Sequence, residues 1–112
     1  MVEHDPSGIE QHTVGAKLDA GKDRSALVLS GFSKALTDVI KVGSAGANKY
    51  TPNGWKDVEN GASRYEDALM RHLMKHWNGE EIDPNFGCTH LAHAAWNLLA
   101  IIEFKNKENK NE

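Results

Sequence analysis

A lone cysteine, Cys88, leaves no partner for an internal disulfide and suits a reducing compartment. No apolar run approaches the ~20 residues that a membrane span needs. Met1 to Gly15 has no apolar core, so a secretory signal is not expected. Neither sign of charge dominates. A net charge of −3 over 112 residues gives no electrostatic reason to expect general DNA or RNA binding. Two familiar signatures are missing as well: there is no Gly-x-x-x-x-Gly-Lys-Ser/Thr phosphate loop and no His-Glu-x-x-His zinc helix. Neither an internal repeat nor a convincing alternating strand pattern is present. What remains is one small domain with a thin core, which self-association would help, so a homo-oligomer is expected. The expected compartment is the cytoplasm.

Six histidines stand against these absences. Three helices are predicted. The first runs from Leu29 to Asn48, with Phe32, Leu36, Val39, Ile40 and Gly43 at the three-four spacing of a buried stripe. Gly43 and Gly46 weaken its end by about 1 kcal/mol each relative to Ala. They mark either fraying and close helix packing or close backbone approach to a ligand. The second runs from Ala62 to Trp77, with Ser63 and Glu66 spaced as a capping box. His72 and His76 lie at one margin of its apolar side and Asp67 at the other. The third spans Thr89 to Phe104, without Gly or Pro. Residues 1–14 read as a flexible segment, 15–104 as one helical domain and 105–112 as a disordered polar tail. The predicted fold is all-α, a compact bundle of about three main helices.

On the third helix, His90, His93 and Asn97 fall within one arc of roughly 60° at about 100° per residue. Beside them runs the apolar seam of Leu91, Ala94, Ala95, Leu98 and Ile102. A packed helix needs the seam and not the arc. The imidazoles therefore either bind something or hydrogen-bond at the edge of the core. His90 and His93 are neighbours on the helix surface, and Asp67 or Asp83 could complete a metal site with them. Two imidazoles with a carboxylate suit Zn, Mn, Fe or Ni better than Mg. Cys88 beside His90 is a weak nucleophile candidate, since one such pair is common by chance. Lys17, Lys22, Arg24, Arg64 and Arg71 could serve a polyphosphate or be ordinary surface charge. Tyr50 and Trp55 flank a Pro-Asn-Gly turn, as core plugs or as a stacking surface for a base.

Taken in order, Gly15-Ala-Lys17-x-Asp19-x-Gly-Lys22-x-Arg24, Lys49-Tyr50, Trp55, Asp67-Ala-Leu-x-Arg71-His72, Gly79-Glu-x-Ile-Asp83 and His90-Leu-Ala-His93-Ala-x-Trp-Asn97 resemble one family. It is the phage and prophage family described as the N-terminal domain of dATP/dGTP diphosphohydrolases, related in name to MazG-like enzymes. The resemblance covers about residues 15–104. It implies an all-α fold acting on purine (deoxy)nucleoside triphosphates, with release of pyrophosphate and a nucleoside monophosphate and with Mg or Mn as cofactor. Carried onto this chain, Asp67 and His93 would be catalytic, and Asp67, Asp83, His90 and His93 would hold metal. Lys17, Lys22, Arg24 and Arg71 would hold the polyphosphate, Asn97 would face metal or phosphates, and Tyr50 and Trp55 would stack the base. The alternative is a non-catalytic phage protein that sequesters a nucleotide second messenger of host immunity. A structural protein whose histidines merely pack is the third possibility.

Overall fold

The structure, a computed structural model, describes residues 2–110. Among the described residues there are four α-helices, one 3-10 turn and no strand: α1 (Ser25–Gly31), α2 (Ser33–Lys49), the turn Gly54–Asp57, α3 (Gly61–Trp77) and α4 (His90–Lys110). The all-α expectation holds. None of these helices is long and apolar enough to cross a membrane. The chain forms two compact units, Met1–Phe32 and Ser33–Glu112.

The first unit is tied together by Asp5. Its carboxylate accepts from the backbone N–H of Ser7 at 2.7 Å and of Lys17 at 2.8 Å. These bonds, that from Lys17 foremost, hold the Asp5 carboxyl below its usual range. Ala20 N–H donates to the His4 carbonyl at 3.0 Å, and Lys22 pairs with Glu3. The stretch expected to be flexible is therefore laced to the Gly-punctuated segment that follows it. The helix predicted from Leu29 is divided at Phe32, whose φ of −108° and ψ of 21° close α1 before α2 begins.

In the second unit α4 is the central rod, packed chiefly against α3 and also against α2. Its buried apolar contribution is small, namely Ala92, Ala94 and Ala100, joined by Val42 of α2. Small residues let the helix backbones approach. Gly43 sits so near Trp96 that a Cβ would lie 3.1 Å from the indole nitrogen, which favours the close-packing reading. An aromatic cluster closes one end. Trp55 meets Trp96 and Phe104 edge-on at centroid distances of 5.5 and 5.8 Å, and Tyr65 meets the same two rings at 5.6 and 6.0 Å. Trp55 thus acts as a core plug, with its neighbours already in contact.

Two boundaries depart from the sequence expectation. α3 begins at Gly61, after Asn60 in the left-handed region (φ 55°), and no side chain caps it. Ser63 therefore lies inside the helix, and the Ser63–Glu66 capping box is not formed. α4 continues through Lys110, so most of the expected polar tail is helical. Lys and Glu are good helix formers, and Lys105 reaches Glu108 at 3.7 Å one turn on. Residues 111 and 112 lie outside the described ones.

Candidate functional site

His72 on α3, Asp83 in the connecting loop and His93 on α4 each present a ligand atom within 4.8 Å of the others. The loop is shaped for this. An antiparallel bridge joins Ile82 to Thr89, Asp83 N–H donates to the Cys88 carbonyl at 2.8 Å, and Gly87 N–H returns to the Asp83 carbonyl at 2.8 Å. The Asp83 side chain, only 8% exposed, accepts from Asn85 N–H through Oδ1 at 3.0 Å. Its other oxygen, Oδ2, stands 3.3 Å from His93 Nε2.

That contact lies within ion-pair distance but lacks hydrogen-bond alignment, and His93 Nε2 is a buried nitrogen with no hydrogen-bond partner. A buried polar atom left this way is costly. An imidazole nitrogen and a carboxylate facing each other without hydrogen-bond alignment are suited to a cation. The residues present thus fit a metal ion. His72 and His93 stack at 4.3 Å with planes 4° apart.

Electrostatics keep both rings neutral. Burial is the main cause that lowers the His72 pKa to about 4, with His93 and His90 opposing its charge as well. His93 is lowered too, again chiefly by burial, against the pull of Asp83. Neutral imidazoles are the form that ligates metal. The unfolded rings protonate near 6.5 and the folded ones lower, so the unfolded state binds more protons as pH falls. The metal-free protein should therefore lose stability between about pH 6.5 and about pH 4. Thermal melts across that range test this, and a His72→Gln variant should show a shallower slope.

His90 is fully buried, and both of its nitrogens are engaged. Nδ1 meets His72 Nδ1 at 2.9 Å and Nε2 meets Glu80 Oε2 at 3.0 Å. It therefore stands behind His72 and offers no free nitrogen to a metal. Asn97, 5% exposed, donates to the His93 carbonyl at 2.7 Å and so braces the turn that carries His93. Asp67 is exposed on α3 and is not in the three-residue group; Arg71 is exposed on the same helix. Lys17, Lys22 and Arg24 belong to the first unit, where Lys22 is paired with Glu3. Tyr50 is 73% exposed beside Lys49, whose ammonium lies 5.2 Å from the Tyr50 ring and 5.2 Å from that of Phe86. Phe86 in turn lies 5.6 Å from the His93 ring. Cys88 is half-buried and free, its thiol turned to the Phe86 carbonyl at 3.8 Å.

His72 and Lys49 are the residues that sequence reasoning left without a role. Both stand in the motif series, but only cross-helix register shows that His72 meets His93. A separate cleft of about 300 Å³ lies on the Leu91–Ala92–Ala95 side of α4, with Asp38, His76 and Glu81 among its lining.

No solved structure matches this chain. It is similar to a dATP/dGTP diphosphohydrolase of Salmonella phage PMBT28, with 29% identity over 92 residues, 82% of this chain and 30% of the relative's length. The chain thus spans about a third of that curated relative. A family profile described as "dATP/dGTP diphosphohydrolase, N-terminal" matches residues 12–112, which takes in α1 to α4 and every member of the His72–Asp83–His93 group. By this match the chain belongs to the dATP/dGTP diphosphohydrolase N-terminal family.

Proposed function

We propose that this chain binds purine deoxynucleoside triphosphates and hydrolyses them to a nucleoside monophosphate and pyrophosphate, using a divalent metal held by His72, Asp83 and His93. The observation that carries this is the buried, unpartnered His93 Nε2 facing the Asp83 carboxylate inside the family-matched region. When bound, the ion supplies Lewis acidity and neutralises charge developing on the phosphates. The chain's own residues do the rest. Asp83 and the two imidazoles form an electron-rich cradle, and Asn97 holds the His93 turn in place. Lys49, over Phe86, supplies a cation near His93 for the polyphosphate, with Arg71 a further one on α3. Water attacks the α-phosphorus, the bond from that phosphorus to the bridging oxygen breaks, pyrophosphate leaves and one proton goes to solvent.

A second reading is retention without turnover, as in sequestration of a nucleotide messenger. It draws on the single carboxylate in the group, Asp83. One experiment separates the two. The protein is incubated with a panel of purine and pyrimidine triphosphates, with Mn, Mg or Zn or with chelator, and the products are resolved by ion exchange. Metal-dependent monophosphate and pyrophosphate from dATP or dGTP support the enzyme. Nucleotide retained intact in chelator supports sequestration, and neither turnover nor retention removes both.

The homo-oligomer expected from the sequence belongs to the same proposal. Met70, Met74, Trp77, Leu98, Leu99 and Ile102 are all 45% exposed or more, apolar surface on α3 and α4 that a second copy would cover. A monomer by light scattering at assay concentration would remove this part.

A further inference from the structure

His90 and Glu80 have no task in the site as described so far, yet the fold goes to some length to hold them. His90 is 0% exposed, in a helix seam where an aliphatic side chain would pack without needing partners. Glu80 is anchored by the end of α3. Gly79 adopts a φ of 96°, its N–H donates to the His76 carbonyl and Glu80 N–H donates to the Lys75 carbonyl, each at 3.0 Å. These are the paired bonds of a Schellman turn, and a left-handed residue is required at its centre. The next residue, Glu81, gives its carbonyl to His90 N–H at 2.9 Å. Glu80 and His90 are thereby fixed to one another through backbone as well as side chain.

We propose that Glu80 and His90 form a positioning relay that sets the tautomer of His72 and leaves its Nε2 bare, as a ligand for a divalent transition metal shared with Asp83 and His93. The proposal rests on the metal reading above and names the class of ion and the residues that tune its site.

For a neutral His90 ring, the polarity of the relay follows from the hydrogen-bond inventory. An ionised carboxylate only accepts, so His90 Nε2 must carry the proton in the 3.0 Å contact with Glu80 Oε2. A neutral imidazole protonated at Nε2 has a lone pair at Nδ1. In the 2.9 Å contact between the two Nδ1 atoms, His90 therefore accepts and His72 donates. His72 then has its proton on Nδ1, and the lone pair that remains is on Nε2. One carboxylate two rings away thus determines which nitrogen of His72 is available. Oriented carboxylate–imidazole bonds of this kind raise ligand basicity and restrain the ring. Two imidazole nitrogens with one carboxylate form a borderline donor set, which suits zinc, cobalt or manganese and not the all-oxygen shell that magnesium takes.

The test uses the full chain and two readouts. In metal-free wild-type protein, long-range proton–nitrogen NMR correlations should show His90 protonated at Nε2 and His72 protonated at Nδ1. Titration with zinc or cobalt(II) alone, against a competing chromophoric chelator, should show binding. Glu80→Ala, at a side chain 47% exposed, should scramble the His72 tautomer and weaken metal binding about 10- to 100-fold. Glu80→Asp should restore much of both. A His72 ring with its proton on Nε2 in the wild type overturns the relay without any variant. Unchanged tautomer and affinity in Glu80→Ala overturn it as well. The predicted tautomers with no zinc or cobalt binding would instead remove the metal reading, and the proposed tuning with it.

Discussion

If the proposed metal-dependent hydrolysis holds, His93→Ala is expected to lower nucleotide turnover on the order of a hundredfold or more, because it removes one of the three proposed ligand atoms and the unpartnered nitrogen that faces Asp83. The loss should fall mainly on kcat at saturating metal. The side chain is largely buried against His72, Phe86 and Asp83, so thermal melts must accompany the kinetics. Asp67→Ala provides the contrast. Asp67 is exposed and outside the group, and its replacement should leave turnover within about threefold. Equal losses in the two variants would move the chemistry away from the α3–loop–α4 seam. Steady-state pyrophosphate release, measured across a manganese titration, distinguishes these outcomes.

Gly61→Ala is expected to destabilise the fold by about 1–3 kcal/mol, although alanine is the better helix former. A methyl at Gly61 would lie 2.7 and 2.8 Å from the Cε2 and Cε1 carbons of Phe104, closer than side chains pack. Propensity argues the other way by at most about 1 kcal/mol, and less at the first residue of a helix. The clash prevails because Phe104 cannot swing aside without leaving both Trp55 and Tyr65. For a unit of this size each 1 kcal/mol is worth about 4–8 °C in Tm, so the drop should be plain in a thermal melt. Phe104→Leu in the same chain should return part of the loss. An unchanged Tm in Gly61→Ala would show that the α3–α4 seam is looser than described.

Much of this architecture could be read from residue order, and the unread part has a common cause. The three-four spacing of α3 and α4 is local information, and so was the grouping of His90, His93 and Asn97 on one arc, but the burial is the reverse of the expectation: those three are at most 6% exposed, while Leu91, Leu98 and Ile102 of the expected seam are 48–50% exposed. Asp83 was within reach because it closes a short loop leading into α4. Cross-helix register was not legible. Spacing places His72 at a margin of α3 but cannot say that it stacks on His93, or that His90 turns both nitrogens away to His72 and Glu80. The Phe32 break between α1 and α2 was missed because the one Gly beside it, Gly31, is a weak break signal on its own. The extension of α4 was missed because a polar run of Lys, Asn and Glu reads equally as coil or as a solvated helix.

A ligand set drawn from α3, the loop and α4 is also a clasp. Anything seated there cross-links elements that the unfolded chain holds apart, so its binding energy appears as resistance to melting, about 2.7 kcal/mol at a hundred times Kd. With one valine and three alanines as the buried apolar side chains among the described residues, such a staple rivals the hydrophobic contribution of whole side chains. Chelation would then soften the scaffold as well as silence the site, and scarcity of the ion would be sensed as loss of the folded protein itself.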